Sequence, residues 1–564
     1  MPGSIATEPG LLVGVTGHRK LRAQDIESLK AQVREFFRDL QTCYPQLPLV
    51  VLSPLAEGAD GLVADVAFEM RLRVIAPLPL PVESYRLDFA TPESLAQFER
   101  RLAAAEVLTL PVHRDALGDP DQPGPARDRQ YAEAGFFVSR HCHLLLALWD
   151  GRDQPSLGGT SHVVRFHLHG ERPEALQRSG AVLSLLGMEE GALAWHLPTA
   201  RNGEDAPAAA TGGWLTTLDE PLGPGAMPEA FDHMFRLQAD FNDDLDKYAD
   251  DIDDDGDAPA DARRCPVQRL FVAVDWMARN YQKRVVRVLR ATYVMAAATG
   301  AAFILYAHVH SQDALIYMYL LLFAAGIGLA ILAKRRQWHR KYLDYRALAE
   351  GLRVQSYWRR AGVVDIAHPS HGNENFIQEQ DLELGWIRNV MRAANVEGLL
   401  APVETGAAQV DAVVAEWVGT PQSDGQLRYF STTADRRARH HRQAELLGLG
   451  TLAVGIGISI VLAVFAHRWG HDIKTVLVVV MGLLSVAAGV HEAYAHKKAD
   501  KELVKQYRFM ERIYAGARRR LDAAGSTDEK RHILRVLGEA ALAEHVEWTL
   551  VHRERPLQHA RLGG

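Results

Sequence analysis

Hydrophobic and polar positions follow two different patterns along this chain. Up to about residue 200, short apolar runs alternate with stretches of helical period. Leu11-Leu12-Val13-Gly14-Val15 predicts a buried strand, and Ile26, Leu29, Val33, Phe37 and Leu40 recur at the spacing of one helix face. A second strand is predicted at 49–52, a helix through Leu62 and Val66, a third strand at 73–78, and another strand at 142–149 ahead of a further helical stretch. Strand, turn and helix in repetition predict a parallel sheet wrapped by helices. Beyond residue 265 the apolar runs lengthen. Residues 291–312, 314–333 and 446–466 contain no Asp, Glu, Lys or Arg, and each is long enough for a hydrocarbon core that needs roughly 20 apolar residues. The fourth run, 475–490, is short and requires Lys474 to snorkel or the bilayer to thin. Two hairpins, 291–333 and 446–490, are therefore expected, giving an all-α membrane domain of four transmembrane helices.

Charge orients these spans. Lys283, Arg284, Arg287 and Arg290 precede the first, and Lys334, Arg335, Arg336, Arg340 and Lys341 follow the second. Arg436, Arg437, Arg439 and Arg442 precede the third, and Lys497, Lys498 and Lys501 follow the fourth. The two intervening loops hold only Arg468 and Lys474. Positive-inside bias then places both termini, and the long helices flanking the spans, in the cytoplasm of a multi-pass protein of the cell inner membrane. A mean hydropathy of -0.12 over 564 residues keeps the membrane part a minority. Cys43, Cys142 and Cys265 lack metal-ligand or paired spacing, which suits a reducing compartment, and no metal site is expected. Residues 1–10 lack a charged start and an apolar stretch, so no cleavable leader is predicted.

The net charge of -7 hides a polarity, with acid concentrated at 240–261 and base at the membrane ends. That basic clustering points to a membrane surface, and no nucleic-acid partner is expected. Asp251-Ile252-Asp253-Asp254-Asp255-Gly256 matches the opening of a calcium loop, but the twelfth position is Ala262 and Pro259 interrupts it, so a solvated linker is expected. The expected organisation is 1–205 as a ligand-binding domain, 206–264 as an acidic linker, 265–362 as the first hairpin with its flanking helices, 363–430 as a helical connector, and 431–564 as the second hairpin with C-terminal helices.

Candidate chemistry gathers at the predicted strand ends, where a parallel sheet binds ligands. Gly14, Gly17, Gly58, Gly158 and Gly159 let a backbone approach a phosphate, with Thr16 and Thr160 as hydroxyl donors and Arg19 as a phosphate clamp. His18, Glu57, Asp60, Asp150 and Gly151 complete the candidate ligand-binding set. His18 and Glu57 are placed for acid-base work, or His18 for a hydrogen bond to phosphate. The spacing is neither a Walker loop nor GxGxxG, so ATP hydrolysis and ordinary NAD redox chemistry are not supported.

Val13-Gly14-Val15-Thr16-Gly17-His18-Arg19-Lys20-Leu21, Ala56-Glu57-Gly58-Ala59-Asp60, and Ala147-Leu148-Trp149-Asp150-Gly151 with Gly158-Gly159-Thr160 resemble the SLOG superfamily over about residues 10–200. That resemblance implies an α/β Rossmann-like N-terminal domain that binds nucleotide-derived ligands and carries no other cofactor. Such domains occur in phosphoribohydrolases, in bacterial conflict systems and in the N-terminal region of TRPM channels. The hydrolase branch carries PGGxGTxxE, whereas here Val163 stands at the glutamate position and the proline is missing. The resemblance thus implies binding without turnover and no catalytic residues.

Over about 265–560, Tyr345-Arg346-Ala347-Leu348-Ala349-Glu350-Gly351-Leu352-Arg353-Val354-Gln355, Trp358, Glu547-Trp548 and the closing His552-Arg553-Glu554-Arg555-Pro556 resemble the SLATT group of membrane effectors. That group is thought to form pores beside nucleotide-sensing domains. Leu503, Tyr507, Met510 and Tyr514 predict a helix-packing seam, either between subunits of a homo-oligomer or within one chain. Gly448, Gly450, Gly455 and Gly457, and Gly326 with Gly328, would let spans approach closely or line a narrow pore. Without midplane charges, coupled transport loses weight. The expected function is a pore in the lipid bilayer gated by a small nucleotide-like ligand. A membrane-tethered nucleotide or NAD hydrolase and a non-conducting scaffold are the alternatives.

Overall fold

The computed structural model describes residues 8–113, 118–153, 158–171, 191–203, 212–218, 225–254, 265–308, 313–364, 376, 382–401, 405–465, 467–498 and 500–554. They fall into two compact units, one drawn from Met1–Val274, Ala347–Arg359 and Val363–Glu404, the other from Asp275–Arg346, Arg360–Gly362 and Thr405–Gly564.

The first unit is built on a seven-stranded sheet. Along the chain run β1 (Leu11–Gly17), α1 (Ile26–Cys43), β2 (Leu49–Leu52), α2 (Ala59–Glu69), β3 (Arg73–Leu78), α3 (Val82–Arg86), α4 (Pro92–Ala104), β4 (Glu106–Thr109), α5 (Pro125–His141), β5 (Leu144–Trp149), α6 (Thr160–His169), β6 (Leu193–Pro198) and β7 (Gly213–Thr216). The strand order is β4-β3-β2-β1-β5-β6-β7, parallel throughout except for β7. The apolar runs of β1, β2 and β5 are buried on both faces, which explains their lack of alternation. The chain winds outward from β1 in one direction and from β5 in the other, so a topological switch lies between these two strands.

Residues 206–264 contain more order than an acidic linker. α7 (Glu229–Lys247) and α8 (Ala249–Asp253) occupy the part of that stretch that is described at its centre, while 255–264, and with them most of the calcium-loop-like run, lie outside the described residues. The acidic residues of α7 conceal an apolar face: Phe231, Met234, Phe235 and Ala239 join the core formed by one face of the sheet with α1 and α2. Buried Gln238 and Asn242 donate through their amides to the carbonyls of Pro9, Gly10 and Gln46. On the other face, Ala393 and Val396 of α12 (Gly385–Leu400) pack with Leu12, Val50, Ile75 and Leu145. Glu397 of α12 pairs with Arg73, which also holds Glu106. Part of the expected connector 363–430 therefore covers the sheet.

The remainder is helical: α9 (Pro266–His308), α10 (Asp313–Arg335), α11 (Trp338–Ala361), then, after α12, α13 (Ala407–Val413), one π turn (Val414–Val418), α14 (Gln426–Phe465), α15 (His471–Lys498), α16 (Asp500–Ala523) and α17 (Thr527–Glu554). Four of these helices are long and apolar enough to cross a membrane. In the second unit α9 and α15 approach closely through small residues. A Cβ on Gly300 would come within 2.7 Å of Val486, and one on Gly482 within 3.3 Å of Ile304. Gly448, Gly450, Gly455, Gly457 and Gly328 play no such part, since no described atom lies within 4 Å of where their Cβ would be. The α16 seam is used within the chain: buried Met510 and Tyr514 lie on the same helix as Tyr507, and Phe430 of α14 packs on both tyrosine rings.

Three histidines around β5 are held neutral. Leu12 N-H donates to His143 Nδ1 at 3.1 Å, His141 Nδ1 lies 2.8 Å from the Phe137 carbonyl and His167 Nε2 2.9 Å from that of Leu193. Burial lowers His141 and His167 to about 4, and burial with Arg392 and Arg388 holds His143 well below its ordinary value. The unfolded chain binds protons below about 6.5 that the folded one refuses, so stability is full above that pH and is lost as pH falls towards 4. Denaturant unfolding at pH 7, 5.5 and 4.5 should show a loss on the order of 3 kcal/mol at its limit for each of His141 and His167, with a shallower slope in His167→Gln.

Candidate functional site

The turn after β1 is fixed before any ligand is considered. His18 N-H donates to the Leu148 carbonyl at 3.0 Å, and the His18 carbonyl accepts from Ala59 N-H at 3.0 Å. Its ring is 4% exposed, with Nε2 accepting from Asp150 N-H at 3.0 Å and lying 3.3 Å from Asp150 Oδ1. Arg201 Nε approaches the same nitrogen at 3.5 Å. His18 thus braces the loops after β1, β5 and β6 across the switch, and is not a solvated turn residue.

The glycines divide by role. Gly58 has φ +85°, and a Cβ there would collide with the carbonyl oxygens of His18 and Arg19; one on Gly17 would strike Ala59 and come within 2.6 Å of Leu148 O. Both therefore seat the start of α2 against the end of β1. Gly14 lies within β1, where a Cβ would meet Val138 and Cys142, so it serves helix packing and does not reach the strand end. Gly151 has φ +77° after β5, next to Asp150, whose Oδ1 accepts from Arg152 N-H at 3.1 Å. Gly158, with φ +74°, packs on the backbone of Ala132; Gly159 and Thr160 begin α6. Thr16 is buried near the end of β1. Val163 packs in the core against Gly135.

Two candidates, Arg19 and Asp60, meet in one polar cluster, together with residues that the sequence does not single out. The Arg19 guanidinium lies 4.6 Å from the Tyr131 ring centroid and, among the described residues, forms no ion pair. Burial opposes its charge, but Tyr85, Tyr131, Asp88 and Asp60 together raise its pKa. Asp60, in the first turn of α2, has a buried Oδ1 without a hydrogen-bond partner. Burial pushes its carboxyl up to about 7 against the pull of Arg19. Buried Tyr85 donates to the Pro54 carbonyl at 3.2 Å. Asp88 accepts from Tyr131 Oη and pairs with Arg127 at 2.8 Å, and Arg127 Nε reaches Tyr131 Oη at 2.7 Å. Glu57, two residues before α2, is half-exposed.

This arrangement supplies a guanidinium for an anion, an aromatic wall and a carboxyl that exchanges its proton near neutrality. It lies where the loops after β1, β2 and β3 converge with α5. Arg127 and Tyr131 are on α5 and Asp88 follows α3; no glycine turn flags either place, although following the third strand to its end leads to Tyr85 and Asp88. Among the described residues, no cluster of three or more His, Cys, Asp or Glu is placed to hold a metal. Comparisons with protein-family models, with curated proteins and with solved structures find no match to this chain.

Because Gly17 and Gly58 are steric requirements, Gly58→Ala should destabilise the first unit by about 1–3 kcal/mol in denaturant unfolding. Arg19→Ala, at an exposed side chain, should leave unfolding within about 0.5 kcal/mol of the parent.

Proposed function

We propose that this chain is a membrane channel or pore-forming effector gated by a nucleotide-derived, phosphate-bearing ligand. The ligand binds the Arg19–Asp60 cluster of the α/β unit, and the four apolar helices of a homo-oligomer open an ion path in the inner membrane, with both termini in the cytoplasm. The observation that carries this reading is the Arg19 guanidinium, which among the described residues forms no ion pair, beside Asp60, whose buried Oδ1 has no hydrogen-bond partner among them, on one chain with four membrane-length helices. The resemblance to SLOG domains and SLATT effectors supports it. So does the course of α9 and α11, each of which has residues in both units, so that binding has a helical route to the spans. Val163, a core residue where the related hydrolases carry glutamate, favours binding over turnover.

The test is ion flux in proteoliposomes across a panel of cyclic nucleotides, dinucleotides and ADP-ribose derivatives. A ligand that opens flux should lose at least tenfold in affinity with Arg19→Ala, as the loss of a charge-assisted contact of about 1.5–3 kcal/mol requires. Absence of ligand-dependent flux, with binding intact, would refute conduction.

Protonation adds a second check. Below pH 7 Asp60 is neutral; above it a carboxylate stands beside Arg19 and weakens the field for an anion. Affinity should fall as pH rises from 6 to 8 and should be flat in Asp60→Asn, read by calorimetric titration. Asp60 also favours one alternative, a membrane-tethered nucleotide hydrolase, because a carboxyl poised near 7 can act as acid and base. Product formation that disappears in Asp60→Asn while binding persists would select that alternative.

A further inference from the structure

Arginines of the α/β unit are widely engaged by carboxylates: Arg34 with Glu69, Arg101 with Asp65, Arg127 with Asp88. Nine of the basic residues at the ends of the apolar helices have no such partner among the described residues. Lys283, Arg287 and Arg290 on α9 are exposed and, among the described residues, have no ion pair. The same holds for Lys334 and Arg335 at the end of α10 and for Arg336 after it. It holds again for Arg436, Arg439 and Arg442 on α14, each within about three turns of an apolar run. The carboxylates nearby are few. Among the described residues, Asp435 is taken by Arg508 and Glu445 lies 3.3 Å from His441, which leaves exposed Glu492 and Glu502 against nine exposed basic residues.

Contacts within the second unit place these ends at one level. Tyr293 of α9 donates to the Ala493 carbonyl of α15 at 3.1 Å, and His491 Nε2 of α15 lies 3.1 Å from the Ala444 carbonyl of α14. Met295 of α9 faces Gly326 of α10, and Gln282 of α9 donates to Tyr342 of α11 at 3.1 Å. Tyr281 carries Arg284 at 5.1 Å and Lys341 at 5.8 Å on its ring, Tyr507 carries Arg437 at 5.4 Å, and Tyr342 packs edge-on against Trp548.

Like charges crowded over three helix ends repel one another unless counter-charge comes from outside the protein. We infer that this basic band is a binding surface for anionic phospholipid headgroups of the leaflet it enters. Each Lys or Arg gains free energy beside an anionic surface. The inference rests on the membrane reading and adds selectivity among lipids to it.

Full-length protein is reconstituted in bilayers of phosphatidylcholine and phosphatidylglycerol, and boundary-lipid preference is read by electron spin resonance with spin-labelled lipids of each headgroup. The parent should prefer the anionic lipid about five-fold or more, the factor supplied by one fully engaged basic side chain. The preference should shrink at high salt. It should vanish in a variant carrying R287Q, R290Q, R335Q, R336Q, R439Q and R442Q. If that variant fails to insert, R335Q/R336Q and R439Q/R442Q are measured separately, each with an intermediate value expected. Equal occupancy by both lipids in the parent, or a preference unchanged in the variants, overturns the inference. So does retention of a short DNA duplex in place of any lipid preference. Failure of the parent to reconstitute at all refutes the membrane reading instead.

Discussion

The α/β unit depends on one close approach, that of the first turn of α2 to the end of β1. Gly17 and Gly58 permit it by presenting no Cβ where Ala59, Leu148 and the carbonyls of His18 and Arg19 already stand. With the two backbones in contact, Ala59 N-H reaches the His18 carbonyl, and half-buried Asp60 is brought beside Arg19 with its Oδ1 out of solvent. A wider separation would hydrate the carboxyl and return it to ordinary acidity. Glycines that read as a phosphate cradle thus act one step earlier, by forcing an acid and a base into each other's field.

Around that centre the unit is finished by segments distant in sequence. α7 closes one face of the sheet and α12 the other, with Arg73 tied to Glu106 and Glu397 at one edge. The chain then returns through helices that also belong to the second unit. Two helices, α9 and α11, therefore contribute residues to both units. No glycine or proline follows Pro266 in α9 until Gly300.

Elements buried on both faces were legible in the sequence because burial leaves an unbroken apolar run: β1, β2, β3 and β5 appear there with nearly their observed limits. β4, β6 and β7 were not, being short and partly exposed, with Trp195 and His196 interrupting any pattern. α7 escaped because its solvent face carries the acid run that dominates composition, while its buried polar positions, Gln238 and Asn242, break the apolar stripe. Arg19 and Asp60 could be named from turn chemistry. Tyr85, Asp88, Arg127 and Tyr131 could not, because only the winding of β3, α3 and α5 brings them to the same place. Among the spans, glycine content pointed to α14, yet the close contact uses Gly300 and Gly482, which belong to no glycine cluster.

That contact is reciprocal. Val486 enters the space left by Gly300, and Ile304, one turn further along α9, enters the space left by Gly482, one turn back along α15. Two knobs in two sockets form a detent: α9 cannot creep along α15 by fractions of an ångström without driving both branched side chains into backbone. One turn away from Gly300 stand Ala296 and Ile304, and one turn away from Gly482 stand Val478 and Val486, so no second pair of sockets lies along either helix. The two knobs therefore select a single register between α9 and α15.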